Sequence, residues 1–185
     1  MRVEIVEDGN GNASAQVFPP VESYLDLRAN PHAIEGVAAA RKYLPLRNFL
    51  TSVNSEESIF ASAGATTKSD LPAAVSAGLA YEFASQTMIV FVDPSFNSER
   101  KIYADLASGL KELLERDSAD TVRLALRISA CDFTAQNQVG FCLSIRLVAE
   151  GTSAQQAELR WGLGLARVQQ ALLFRSRALK QPIAE

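Results

Sequence analysis

Two segments of the chain alternate between apolar and polar residues, and this alternation limits the fold more than any other feature. Residues 121–128 and 139–147 each carry a large apolar side chain at every second position. A period of two places these side chains on one face of a β-strand. The short polar segment 135–138 between them supplies a turn, so the two runs predict an antiparallel hairpin with one apolar face.

Three segments have the pattern of helices. Asn30 as N-cap and Pro31 in the first turn begin the first one, which is expected to end before Pro45. Residues 97–116 carry leucines at helical spacing and oppositely charged i,i+4 pairs on the other side, which predicts the second. The third is expected to run from residue 152 or 153 to about residue 179, because capping-box spacings mark its start.

The last of these helices is apolar on more than one stripe. One row consists of Trp161, Leu165, Val168 and Leu172, and the row beside it of Leu159, Leu163 and Ala166. A helix with two apolar rows is usually covered on a second side, and a partner subunit is one way to cover it. Gly162 and Gly164 each cost about 1 kcal/mol relative to alanine in a helix, so a close approach of another element is expected there.

The rest of the chain is interpreted mostly as strands and turns. Residues 2–7 predict a strand, 9–12 a turn and 17–18 a return strand. Hairpins are predicted from residues 49–53 with 58–61 and from 79–83 with 87–92, and a short helix from 71–77. Residues 64–69 lack the second glycine of a phosphate-binding loop and are interpreted as an ordinary loop.

Together these elements predict an α+β fold, a largely antiparallel sheet with about three main helices packed on one face. The order of elements also divides into two β-α-β-β units followed by a long C-terminal helix, but the two units are not alike in sequence. The 185 residues are expected to form a single domain, with a short flexible C-terminal tail from about residue 180.

Composition narrows the class of protein. The net charge of −3 argues against nucleic acid as a partner, although the last helix carries several arginines. No membrane span is expected, because Pro72, Gly78 and Glu82 interrupt the most apolar stretch. Two cysteines do not form a disulfide framework, and the N-terminus alternates charged and apolar residues, so a cytoplasmic protein is predicted.

The polar face of the 121–148 hairpin is the first candidate site. With a two-residue turn at 136–137, Arg127 faces Arg146 and Cys131 faces Cys142, all on the side away from the apolar core. Opposed arginines are destabilising unless an anion lies between them, so this face is a hypothetical site for a carboxylate, a phosphate or an acidic partner surface. The alternative is a solvated sheet face on which the arginine side chains extend into water.

Two further residues complete the candidate ligand-binding set of Arg127, Arg146 and Cys131. His32 is the only histidine, so any histidine-based chemistry would depend on it. Glu82 lies in an apolar strand, where a buried carboxyl group can acquire a function. Two thiols and one histidine do not complete a zinc site, so no metal and no cofactor are predicted.

Two classes of function follow from these features. The first is a non-catalytic binding or assembly module that self-associates, most simply as a homodimer, through the second row of the last helix. The alternative is a small-molecule-binding protein or enzyme that holds an anionic ligand between sheet and helices, with the five candidate residues converging on it. No motif in the sequence identifies a reaction, so whether catalysis occurs is left open.

Overall fold

The strands of the computed structural model form one six-stranded sheet, in which most neighbouring pairs are antiparallel. The structure describes residues 1–7, 16–20, 24–76, 79–115 and 121–180. The strands are β1 (Arg2–Glu7), β2 (Gln16–Phe18), β3 (Phe60–Ser76), β4 (Leu79–Phe91), β5 (Val122–Phe133) and β6 (Gln138–Gly151). The helices are α1 (Ala38–Lys42), α2 (Leu44–Val53), α3 (Arg100–Leu114) and α4 (Ala154–Lys180), with 3-10 helices at Pro31–Gly36 and Pro94–Ser98.

The strand order is β1-β5-β6-β4-β3, and β2 continues the β1 edge by pairing with the far end of β5. Both β1 and β2 run parallel to β5, whereas β3–β4, β4–β6 and β5–β6 are antiparallel. The β3–β4 register shifts between Ala63 and Ala65, where Gly64 adopts φ 67°. Glycine suits this left-handed position, which is typical of a β-bulge.

The helices cover one face of the sheet and share one hydrophobic core with it. Helix α4 lies across β4 and β6, with α2 on its β3 side and α3 on its β1 side. Trp161 of α4 is fully buried and contacts the rings of Phe83 and Tyr43, with centroid distances of 4.5 and 5.8 Å. Its indole Nε1 donates a 2.8 Å hydrogen bond to Ser85 Oγ, which gives the buried N–H an acceptor.

The predicted α+β architecture, with a largely antiparallel sheet, helices on one face and a long C-terminal helix, is confirmed. The 121–148 hairpin and the helices at 97–116 and 152–179 correspond to β5–β6, α3 and α4. The row of α4 that begins at Trp161 is buried, whereas Leu159, Leu163 and Ala166 are exposed. The close approach expected at the two glycines is present, since a methyl group at Gly162 would lie 3.0 Å from Pro45 Cγ.

The hairpin predicted from residues 49–53 and 58–61 is wrong, because residues 44–53 form α2. Pro45 lies in the first turn of this helix, where its missing N–H costs nothing, so it begins a helix instead of ending one. The buried side chains of α2 recur at helical spacing, but a strand predicted from residues 49–53 alone is too short to reveal this spacing. They are Leu46, Phe49, Leu50 and Val53.

Three other local predictions are corrected by the long β3–β4 hairpin. The helix predicted at 71–77 and the loop predicted at 64–69 both lie within β3, although residue 77 is outside the described residues. Residues 79–83 and 87–91 belong to one continuous strand, β4, instead of two, and residue 92 follows its end. Residues 17–18 form a strand as predicted, but β2 pairs in parallel with β5 instead of returning along β1.

Two predictions lie outside the described residues, namely the turn at residues 9–12 and the tail at residues 181–185. Among the helices described in residues 31–115 and 154–180, none combines the length and the apolar character that crossing a membrane would require.

Candidate functional site

An apolar groove lies between α2 and the first half of α4 on the surface of the helical layer. It encloses about 850 Å³. Pro45 and Asn48 of α2 form one side, and Leu159, Leu163 and Ala166 of α4 form the other. Gly162 allows the two helices to approach closely at its floor, where its missing side chain leaves room for the Pro45 ring.

The leucines around this groove are unusually accessible for large apolar side chains. Leu159 is 64% exposed, Leu163 is 62% exposed, and Leu44, next to Pro45 in the chain, is 65% exposed. Single exposed leucines are ordinary, but a cluster of them next to a groove is typical of an interaction site. Of the side chains that line the groove, only Glu158 carries a charge.

The exposed row of α4 continues beyond the groove with the spacing of a coiled-coil seam. Its positions, separated alternately by four and three residues, are Leu159, Leu163, Ala166, Gln170 and Leu173. A 4-3 spacing keeps side chains on one line along a helix that packs against another helix. Leu173 is half-buried, whereas the other four are exposed.

His32 lines a second, more polar cavity of about 880 Å³, which adjoins the groove at Asn48 and Gln169. It is exposed on the 3-10 helix Pro31–Gly36. Glu35 and Arg47 form an ion pair in the wall of this cavity, and Glu56 and Glu57 lie at its edge. The charged side chains of this cavity are therefore either paired with each other or exposed to water. Within the described residues, His32 makes no hydrogen bond to a side chain that could act as a nucleophile.

The other four candidate residues lie on β4, β5 and β6, away from His32. Glu82 is directly opposite Glu150 in the β4–β6 register. The guanidinium of Arg123 separates these two carboxylates, with distances of 3.3 Å to Glu82 and 2.7 Å to Glu150. Glu82 is thus part of a structural ion-pair cluster, and both carboxylate side chains are only 13% exposed.

The predicted register of the β5–β6 hairpin is wrong by two residues. Four residues, 134–137, form the turn, with Asn137 at φ 48°, so the last pair is Phe133 with Gln138. Arg127 therefore faces Ser144, and Arg146 faces Ala125. A shift of two residues keeps each side chain on its predicted face but makes the two arginines diagonal neighbours instead of a directly opposed pair.

The cysteines are also diagonal, because Cys131 faces Gly140 and Cys142 faces Ser129. Both are fully buried free thiols, in contrast to the exposed sheet face that was predicted for them. They belong to a small second core with Val90 and Phe133, against which Phe18 of β2 packs. A hydrogen bond with Cys142 lowers the pKa of the Cys131 thiol, and this effect outweighs burial, which raises it.

The structure therefore brings together only part of the predicted set. Arg127 and Arg146 share the sheet face that the helices leave uncovered, Glu82 lies in the Arg123 cluster, and Cys131 is in the second core. Two features were missed by the sequence interpretation. Pro45 was missed as a groove residue because it was interpreted as the end of a helix and residues 49–53 as a strand, and Lys68 was missed as a sheet residue because β3 was interpreted partly as a loop.

Within the part of the chain that the structure describes, no group of three or more His, Cys, Asp or Glu side chains is arranged to hold a metal ion. Comparison with protein-family models, with curated proteins and with solved structures finds no match to this chain.

Proposed function

We propose that this protein is a non-catalytic binding and assembly module that self-associates as a homodimer. The interface consists of the exposed row of α4 and the start of α2, here called the α2–α4 face and defined by Leu44, Pro45, Leu159, Leu163 and Ala166. The observation that carries the proposal is the exposure of Leu159 and Leu163 in one groove, with Leu44 exposed next to the groove residue Pro45 in the chain. Burying such side chains stabilises association by about 1.5–3 kcal/mol each at full burial.

A second copy of the chain fits this face because the face is nearly uncharged and has a repeating spacing. In a two-fold dimer the same patch is used twice, so like charges on the patch would meet each other. The seam positions of α4 are apolar or amide side chains, so little charge would be desolvated on pairing. The 4-3 spacing also allows the side chains of one α4 to interdigitate with those of the other.

The proposal also places the protein in the cytoplasm. Cys131 and Cys142 are neighbouring thiols in the second core that are not joined in a disulfide. Neighbouring thiols persist in reducing compartments, whereas secreted domains usually oxidise theirs.

The first test is the mass of the protein in solution, measured by light scattering after size-exclusion chromatography. We expect about 40 kDa for the wild type, twice the 20.0 kDa chain, and about 20 kDa for Leu163→Glu. The new carboxylate would have to leave water in the dimer, which is unfavourable, but in the monomer it stays exposed at i,i+4 spacing from Arg167, which favours the helix. The variant should therefore fold normally.

Leu179→Glu is the matched control, because Leu179 is 53% exposed on the same helix but lies outside the α2–α4 face. We expect this variant to remain dimeric. A wild-type mass of 20.0 kDa at about 100 µM, where a micromolar Kd is saturated, would disprove self-association. Equal loss of the dimer in both variants would show that another surface forms it.

A further inference from the structure

We infer that the sheet face opposite the helices binds the phosphate group of a small phosphorylated molecule, between Lys68 of β3 and Arg146 of β6. This site is independent of the proposed dimer, because α4 and α2 pack on the other face of the sheet. The two cations line a small cavity together with Thr66 and Gln86, and the cavity encloses about 80 Å³.

The register of three adjacent strands builds this cavity. Thr66, Gln86 and Arg146 lie in one row across β3, β4 and β6, because Thr66 pairs with Gln86 and Gln86 with Arg146. Lys68 lies two residues further along β3 and pairs with Ala84. The small side chain of Ala84 is buried at the base, so the longer side chains around it enclose a depression.

The side chains around the cavity are hydrogen-bond donors. Lysine and arginine only donate, and the Thr66 hydroxyl and the Gln86 amide can each donate as well. No carboxylate lines the cavity among the described residues. The carboxylate nearest to Lys68 in register is Glu82, which lies two residues along β4 from Ala84, the partner of Lys68, and contacts Arg123. In the row of Arg146 the nearest carboxylate is Glu4, which pairs with Ala125 as Arg146 does from the other side. Two strand spacings therefore separate Glu4 from Arg146, about 10 Å.

Lys68 and Arg146 have no ion-pair or hydrogen-bond partner among the described residues. Arg123, on the same sheet face, contacts both Glu82 and Glu150. Arg127 is the diagonal neighbour of Arg146 on this face. An anion between Lys68 and Arg146 would relieve the repulsion that like charges on a sheet face exert.

The size and charge of the cavity favour phosphate over a larger or less charged group. A volume of about 80 Å³ corresponds to roughly two or three water molecules at ~30 Å³ each, which suits one oxyanion. A phosphate ester carries about −1.5 to −2 charges at neutral pH and has three terminal acceptor oxygens. Two cations and two neutral donors match that group better than they match a planar, singly charged carboxylate.

A larger cleft adjoins the cavity and can hold the rest of the ligand. It encloses about 490 Å³ and shares Thr66 and Gln86 with the cation-lined cavity. Its other walls are largely apolar and include Val17, Pro20 and Met88. A volume of this size is typical of small-molecule sites, which are mainly apolar with a few polar groups. The ligand class is therefore a phosphate monoester with a compact apolar body.

The test is isothermal titration calorimetry of the wild type with phenyl phosphate, inorganic phosphate and benzoate at low ionic strength. We expect saturable 1:1 binding of phenyl phosphate, at least fivefold tighter than inorganic phosphate and at least tenfold tighter than benzoate. Lys68→Gln and Arg146→Gln should each weaken phenyl phosphate binding at least tenfold. Met88→Ala should remove the preference for phenyl phosphate over inorganic phosphate, because it shortens the wall of the cleft but leaves the cations in place.

Arg41→Gln is the control for lost charge, because Arg41 is an exposed arginine on α1, away from this face. We expect its affinity to stay within twofold of the wild type. The absence of saturable binding, equal weakening in Arg41→Gln, or benzoate binding as tightly as phenyl phosphate would each overturn the inference. Amide chemical-shift changes in the wild type, expected at Lys68, Gln86 and Arg146, test the location without any substitution. Shifts confined to other regions would also overturn it.

Discussion

At the scale of single residues, Tyr103 links a buried hydrogen bond to the pH dependence of stability. Its side chain is fully buried in α3, and its hydroxyl donates a 2.5 Å hydrogen bond to Asn97 Oδ1. The Asn97 side chain in turn bonds the backbone N–H and carbonyl of Phe91 at the end of β4. Burial raises the pKa of Tyr103 far above its ordinary value of about 10. The native state therefore keeps a proton that the unfolded chain loses at high pH.

We predict that the wild type loses stability above pH 10 more steeply than Tyr103→Phe. Where the unfolded chain binds fewer protons than the native state, the free energy of unfolding falls with pH, by about 1.4 kcal/mol per pH unit for one group. The variant lacks this proton and should show a shallower decline, although it is less stable near neutral pH because it lacks the hydrogen bond to Asn97. The measurement is urea unfolding between pH 9 and 12, followed by the fluorescence of Trp161, the only tryptophan.

Two other groups do not disturb this comparison. Tyr24 also has a raised pKa, but it contributes equally to the wild type and the variant. The pKa of Cys131 is lowered from its ordinary value of 9.0, so its contribution changes only near the lower end of this pH range, and it does so in the wild type and the variant alike. Tyr81→Phe, at a tyrosine that is exposed, serves as the control and should follow the wild type. A constant difference between the wild type and Tyr103→Phe across the range would contradict the prediction.

At the scale of elements, Arg28 joins the segment before the first 3-10 helix to the turn between α2 and β3. Its Nη1 donates to the carbonyl oxygens of Ser55, Ser58 and Phe60, at 2.8, 3.0 and 3.4 Å. We predict that Arg28→Met lowers the free energy of unfolding by about 1.5–3 kcal/mol, because the apolar stem is kept but a charged donor to three carbonyls is lost. Urea unfolding at neutral pH provides the measurement.

Arg41→Met is the matched control for Arg28→Met. Arg41 is exposed, and its side chain has no hydrogen bond or ion pair within the described residues. A substitution at such a position is expected to change stability by no more than about 0.5 kcal/mol. If both variants lost the same free energy, the three carbonyl contacts would not be what anchors this segment.

The elements that the sequence predicts well are those in which the hydrophobic period repeats many times. The leucines of α3 and α4 and the alternation in β5 and β6 extend over at least three repeats, so competing interpretations do not fit them. Helix α2 has only ten residues, and its first turn contains Pro45, which is a helix terminator in one position and a helix initiator in another. Only the observed packing of Phe49 and Leu50 in the core decides between these two roles.

The candidate site was less predictable, because it depends on pairings between elements that are distant in sequence. The β5–β6 register follows from the length of one turn, and four residues instead of two moved Arg127 away from Arg146. The neighbours of Lys68 depend on the β3–β4 and β4–β6 registers together. No local pattern at Lys68 reports those partners. By contrast, the exposed row of α4 was visible in the sequence, since the helical period alone separates it from the buried row that contains Trp161.

At the scale of the whole molecule, the proposed dimer requires that folding and association are coupled. A dimer that unfolds to two chains is stabilised by mass action, so its melting temperature rises with protein concentration. For a chain of 185 residues, an unfolding enthalpy of about 0.7 kcal/mol per residue gives a rise of about 2 °C for each tenfold increase in concentration. A monomer shows no such rise.

We therefore predict that the wild type melts about 4 °C higher at a hundredfold greater concentration, whereas Leu163→Glu melts at the same temperature throughout. Differential scanning calorimetry over that range is the measurement, and Leu179→Glu should follow the wild type. This measurement gives information that the solution mass does not, because it shows whether the α2–α4 face contributes to the stability of the fold. If the wild type melted at the same temperature at all concentrations, the exposed leucines of the α2–α4 face would not be buried against a second copy in the state that unfolds. The self-association proposal would then be wrong for this face, and the phosphate site on the opposite side of the sheet would be unaffected.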